Sequence, residues 1–144
     1  MKRKSIMILL ALALALALGT AQAATYVDSY ARMVANEVNR ERAARGLSAL
    51  RVDAELTRAA RVRAQEIAQK FSHTRPDGSS WRTVSSAAYG ENIARGQKTA
   101  DKVMAAWMSS DGHRRNILRA GFGSIGVCCL KVGNVYHWVQ LFGR

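Results

Sequence analysis

The sequence reads as an α+β domain, with helices through most of the chain and strands at its end. Three features lead to that class. Apolar residues recur at three- and four-residue spacing before residue 71 and again from residue 103 onward. Two runs rich in Val and aromatic residues, 125–131 and 135–142, flank Val132-Gly133-Asn134, which is a hairpin signal. Strands and helices do not alternate as βαβ units would require, and no internal repeat is visible.

In the first helix, Val27, Tyr30, Val34 and Val38 share one face. Gly46 followed by Leu47 has the form of a C′ glycine with its C″ hydrophobic contact. Asp53 is placed to cap a second helix, whose stripe is Leu56, Ala60, Ala64, Ile67 and Phe71. Arg58, Arg61, Arg63 and Glu66 fall between the stripes and are expected on the solvated side. Arg75-Pro76-Asp77-Gly78 carries the residues of a type I turn. The Ser- and Thr-rich stretch 78–88 is expected to be a loop, followed by a short strand near residues 89–93. Thr99 would cap a third helix, with Asp101 in its first turn and Val103, Ala106, Trp107 and Ser110 on its inner face. Gly112 would break that helix, and residues 113–118 would form a further turn or two.

The 144 residues carry a net charge of +12 and are 49% hydrophobic, too apolar for a disordered chain. One proline excludes a Pro-rich stalk, and two cysteines exclude a disulfide-dense scaffold. The first 23 residues have the anatomy of a signal peptide. Lys2, Arg3 and Lys4 precede an apolar run at 6–18, and Ala21-Gln22-Ala23 supplies the small-x-small cleavage pattern. That run would rise about 20 Å as a helix, short of a ~30 Å hydrocarbon core. Cleavage after Ala23 is expected to leave one domain, residues 24–144, secreted or periplasmic, not transmembrane and monomeric. Loss of the three basic residues at the start lowers the net charge to +9.

Cys128 and Cys129 are adjacent. Neighbouring Cα atoms lie about 3.8 Å apart, closer than a relaxed disulfide allows. On a strand the two thiols would point to opposite faces, and a role as small hydrophobes is preferred over a redox switch or an intermolecular bridge.

Few residues can do chemistry here. His73 follows the second helix, Glu91 sits among apolar neighbours in Tyr89-Gly90-Glu91-Asn92-Ile93, and His113 sits near the inner face of the third helix. Two imidazoles and a carboxylate suit a divalent metal such as zinc, or a proton relay without metal. Three separate residues bonded to backbone remain the alternative. His137, between Tyr136 and Trp138, is expected to be structural or exposed.

Several words occur in one order: Val38-Asn39 through Gly46-Leu47, Phe71-Ser72-His73, Gly90-Glu91-Asn92-Ile93, Trp107, and Gly112-His113-Arg114-Arg115-Asn116-Ile117-Leu118. Gly126-Val127 and Trp138-Val139-Gln140-Leu141-Phe142-Gly143 follow. The ordered set resembles the CAP superfamily, or SCP domain, which includes cysteine-rich secretory proteins, antigen 5 and pathogenesis-related proteins, and is closest to its bacterial secreted type. The resemblance implies an α-β-α sandwich with a mostly antiparallel central sheet. It also implies a cleft with two histidines and two acids that can bind divalent metal, often zinc. Carried over, these are His73, His113 and Glu91 as metal site, with Ser110 where the second acid usually stands. Ser110, Asn92 and Trp107 would line the cleft.

Two functions follow from that resemblance and from the residues. The preferred one is a binding domain for a lipid, glycan, peptide or protein partner. The other is a metal-dependent hydrolase with Glu91 as general base. A Ser110-His113 nucleophile pair ranks below both. Arg40, Arg42 and Arg45 end the first helix, and Arg51, Arg58, Arg61 and Arg63 follow, all expected on a solvated face. Such a basic surface suggests an anionic lipid, glycan or envelope polymer as partner. No nucleic-acid-binding signature accompanies the charge, so nucleic acid is not expected.

Overall fold

A computed structural model describes residues 21–144. The expected signal segment therefore lies outside the described residues, apart from Ala21, Gln22 and Ala23. No described helix is long and apolar enough to cross a membrane.

The chain runs β1 (Ala24–Tyr26), α1 (Asp28–Ala43), β2 (Arg51–Val52), α2 (Ala54–Gln69), a 3-10 turn (Trp81–Val84), β3 (Gly90–Arg95), α3 (Ala100–Met108), α4 (Asp111–Ile117), β4 (Ser124–Val132) and β5 (Val135–Gly143). The strands form one sheet in the order β1-β4-β5-β3. All these pairs are antiparallel, while β2 adds a short parallel pairing to β4. The hairpin turns at Gly133, whose φ of +58° glycine adopts without strain.

Period-2 alternation sends β4 and β5 side chains to two apolar layers. On one face, Val34 and Val38 of α1, Val103 and Trp107 of α3 and Ile117 of α4 pack on Val127, Cys129 and Trp138. On the other, Leu56, Ala60, Ala64 and Ile67 of α2 pack on Cys128, Leu130, Val139 and Leu141. Helices thus cover both sheet faces, as the α-β-α sandwich requires. The thiols are free, buried and on opposite faces. Gly126 lets α2 close on the sheet, since a Cβ there would collide with the Leu56 backbone carbonyl.

The expected caps form. Asp53 accepts from the Leu56 N–H, and Thr99 accepts from the Lys102 N–H. After α1, the Leu47 N–H bonds the Arg42 carbonyl and the Gly46 N–H bonds that of Ala43, with Gly46 at φ +70°. That is the Schellman pattern. The Gly78 N–H closes the expected turn on the Arg75 carbonyl.

Other expectations are corrected. Arg63 is fully buried, because two carboxylates and a carbonyl receive its guanidinium. Arg42 is also fully buried and donates to the carbonyls of Ser48, Ile117, Arg119 and Phe122. Phe71 lies beyond the end of α2 and is 47% exposed. Met104, not Ala106, completes the inner face of α3. The break after α3 falls at Ser109 and Ser110, and Gly112 lies within α4. The 78–88 stretch holds a 3-10 turn. The short strands β1 and β2 had no pattern long enough to announce them.

Candidate functional site

The site forms where the outer edge of β3 meets the chain after α2 and the start of α4. Register with β5 turns Glu91 toward α2 and Asn92 toward α3 and α4. Arg63, in the third turn of α2, reaches Glu91 with Nε to Oε2 at 2.7 Å and Nη2 to Oε1 at 3.2 Å. This is a bidentate fork with both side chains at 0% exposure.

The network continues both ways. Arg63 also bonds Glu66, and Arg75 clamps Glu66 through Nε at 2.9 Å and Nη2 at 2.8 Å. Burial raises the Glu66 pKa, but Arg75 and Arg63 outweigh it and hold the carboxyl below its ordinary value. Burial likewise lowers Arg63, and Glu91 with Glu66 reverses this, leaving the guanidinium more basic than usual. At the other end, Glu91 Oε1 lies 2.8 Å from His73 Nδ1. A carboxylate there selects the tautomer with the proton on Nδ1 and leaves the Nε2 lone pair free. The His73 side chain is 54% exposed.

His113 stands across from it on α4. Burial lowers its pKa, and the nearby His73 lowers it further. Both effects keep it neutral near pH 7. Its carbonyl accepts from Asn92, which also bonds Gln140. Asn116 holds the Glu91 carbonyl and the Asn92 side chain at 3.2 and 2.9 Å. Asn92 is 0% exposed and therefore stands behind the cleft instead of lining it, because its amide is spent inside.

From His113 a groove of about 450 Å³ runs along β3, walled by Phe71, Ile93, Trp107 and Ala106, with Ser110 at its polar end. Trp107 is fixed there by donating to the Ile93 carbonyl at 3.2 Å. Ser110 precedes α4 without capping it through its side chain. The structure thus brings together His73, Glu91, His113, Trp107 and Ser110 from the sequence-based set. It adds Arg63 and Glu66, whose only sequence signal was charge, and Asn116, which lies within the matching word 112–118.

The donor chemistry limits what a metal would find. Glu91 accepts three hydrogen bonds and has no exposed side-chain surface. It does not fit a metal ligand or a base that must touch water. Among the described residues, no three His, Cys, Asp or Glu side chains converge as a metal cage. Two imidazoles remain, with Glu91 in the outer-shell position that often orients a ligating histidine.

Fold and cleft together define a small α-β-α sandwich with His113 on an apolar groove and His73 near it. The family model for CAP, the cysteine-rich secretory protein family, matches residues 35–142, and the chain belongs to this family. It is 39% identical over 136 residues to the uncharacterized protein YkwD of Bacillus subtilis (strain 168), covering 85% of this chain and 50% of that protein. The chain thus spans about half the length of that relative. Among solved structures, an outer surface protein from Borrelia burgdorferi superposes with a TM-score of 0.76 at 21% identity, covering 85% of this chain and 98% of that one. An extracellular SCP-domain protein from Bacillus anthracis gives 0.72 at 23% identity, over 81% of this chain and 41% of that one. At those identities the likeness shows the fold alone.

Proposed function

We propose that the protein is an exported binding domain whose ligand seats on His73 and His113 and extends along the β3 groove. One observation carries this reading. The exposed His73 imidazole is fixed from behind by a buried Arg63–Glu91 pair, and the neighbouring His113 lines one end of an apolar groove. Buried charge of this kind is costly to assemble and is often retained where geometry matters. The groove suits the apolar part of a lipid, glycan, peptide or protein partner, and the imidazoles suit its polar end. Export is supported by the signal-like start of the sequence and by relatives described as extracellular or outer-surface proteins.

A divalent cation such as zinc would be held by His73 and His113, with Glu91 orienting His73. Isothermal calorimetry tests this. Heat of zinc binding is expected for the wild type and lost in His73→Ala with His113→Ala. No heat for the wild type would remove the metal from the proposal. The hydrolase alternative lacks its base, because Glu91 is already spent on Arg63 and His73. The basic surface favours anionic lipid, glycan or envelope polymer as the medium in which the domain works. Mass spectrometry of molecules that co-purify with the natively secreted protein tests the binding function itself. Cargo lost on His73→Ala supports it, and equal cargo in both proteins sinks it.

A further inference from the structure

A second site lies at the opposite edge of the sheet. In β4 the odd-numbered residues turn their backbone N–H and C=O away from β5, as the Val132–Val135 end pair of the two-residue hairpin requires. The hydrogen bonds agree. Gly133 N–H bonds Ala23, Cys129 accepts from the Val27 N–H, Ile125 from the Asp53 N–H and Gly123 from the Arg51 N–H. β1 and β2 thus occupy the two ends of one edge. Val127 is left between them. Its N–H and C=O face this edge and have no partner among the described residues. At Val27 the chain leaves into α1, and at Asp53 it leaves into α2, which opens a notch over Val127.

The notch has a volume of about 220 Å³. Ala31 and Ala35 of α1, Val52 of β2 and Val127 itself supply apolar wall. Arg32, Arg61 and Asp28 stand at its rim. Arg61 is spent on Asp28 at 2.9 Å and on the Tyr26 ring, 4.6 Å to its centroid. Arg32 makes no ion pair among the described residues. Among the described residues the rim therefore carries one unpaired cation.

We propose that this notch binds the carboxy-terminal residue of an extended peptide. Among the described residues Val127 is the β4 position whose N–H and C=O both lack partners on this edge, the Cys129 N–H being free as well, so a strand running through would collide with Val27 or Asp53, while a chain end inserts a single residue. In an antiparallel pair that residue gives its N–H to the Val127 carbonyl and receives the Val127 N–H on its own carbonyl, here the terminal carboxylate. The second carboxylate oxygen takes Arg32 in a charge-assisted hydrogen bond. A small or β-branched apolar side chain fills the space beside Ala31, Ala35 and Val52. The site is independent of the His73–His113 cleft and does not rest on the function proposed for it.

Acetyl-Ala-Ala-Val with a free carboxylate, and the same peptide as its carboxamide, serve as probes of the full domain by amide NMR. The acid is expected to shift the Val127 amide signal and slow its hydrogen exchange. The carboxamide and the Arg32→Gln variant are each expected to bind about tenfold more weakly. Ala31→Phe, checked for an unchanged melting profile, should abolish the Val127 response, and His73→Ala should leave it intact. An unmoved Val127 amide at about 10 mM acid, well above a millimolar Kd, would overturn the proposal. So would equal binding of acid and carboxamide, or a response centred on His73.

Discussion

Arg63 and Glu91 form an ion pair in which neither side chain has any exposed surface, with Nε 2.7 Å from Oε2. The pair joins the middle of α2 to an edge strand 28 residues away and stands directly behind His73. Arg63→Gln should lower folding stability by about 3–5 kcal/mol, since Glu91 would remain buried without its partner. Urea denaturation measures this. The NMR signature of the His73 ring should change as well, through loss of a fixed Nδ1–H. Arg63→Lys should not restore either property, because an ammonium cannot form the fork. Full rescue by lysine would contradict the geometry.

Arg42 donates to four backbone carbonyls, at 2.8 to 3.4 Å, and so ties the end of α1 to the turn after α4. Arg42→Met keeps the apolar stem but leaves those acceptors without donors. A loss of about 2–5 kcal/mol is expected, the cost of several unsatisfied buried groups. Exposed Arg58→Met should change stability by less than about 0.5 kcal/mol. Equal effects would remove the structural role of Arg42.

Burial pushes both thiols up to about 12. At pH 8 neither is a nucleophile while the protein is folded. Alkylation by iodoacetamide should be absent in native buffer and reach two sites in guanidinium chloride. Rapid native alkylation of either cysteine would contradict the packing.

Burial lowers the pKa of His137, with the Leu130 backbone opposing and Arg95 adding to the shift. The folded state therefore prefers neutral His137, and the unfolded chain binds the proton more readily. The stability this supplies is complete above about pH 6.5 and is lost as pH falls below it. Urea midpoints should drop between pH 7.5 and pH 5. His137→Phe should flatten part of that slope, His113 being shifted in the same direction. A slope unchanged by His137→Phe would assign the effect elsewhere.

Much of the fold was legible because its signals are local. Asp53 and Thr99 cap their helices through bonds to N–H groups three residues on. Gly46 and Gly133 take positive φ where a helix end and a hairpin need it. The stripe Leu56, Ala60, Ala64 and Ile67 points inward by helical period alone. β1 and β2, at three and two residues, are too short for any period to show.

The site was legible only in its residue types. His73, Glu91 and His113 could be named, but not the way they divide the work. By period and charge Arg63 belongs on the solvated side, and it is buried because Glu91, Glu66 and the Ser72 carbonyl converge on it. Arg42 is buried for the same kind of reason, with acceptors 75 to 80 residues away.

The helices, the terminal hairpin, the opposed thiols and the cleft candidates follow from the order of amino acids alone. They depend on period, capping and turn chemistry, which act within a few residues. That Glu91 is shared between Arg63 and His73, and that Val127 is left without a backbone partner among the described residues between two strand ends, emerges only from the folded chain. Whether a charge or a backbone group finds a partner is fixed by which distant segments meet, and burial makes an unmet partner too costly to leave to chance.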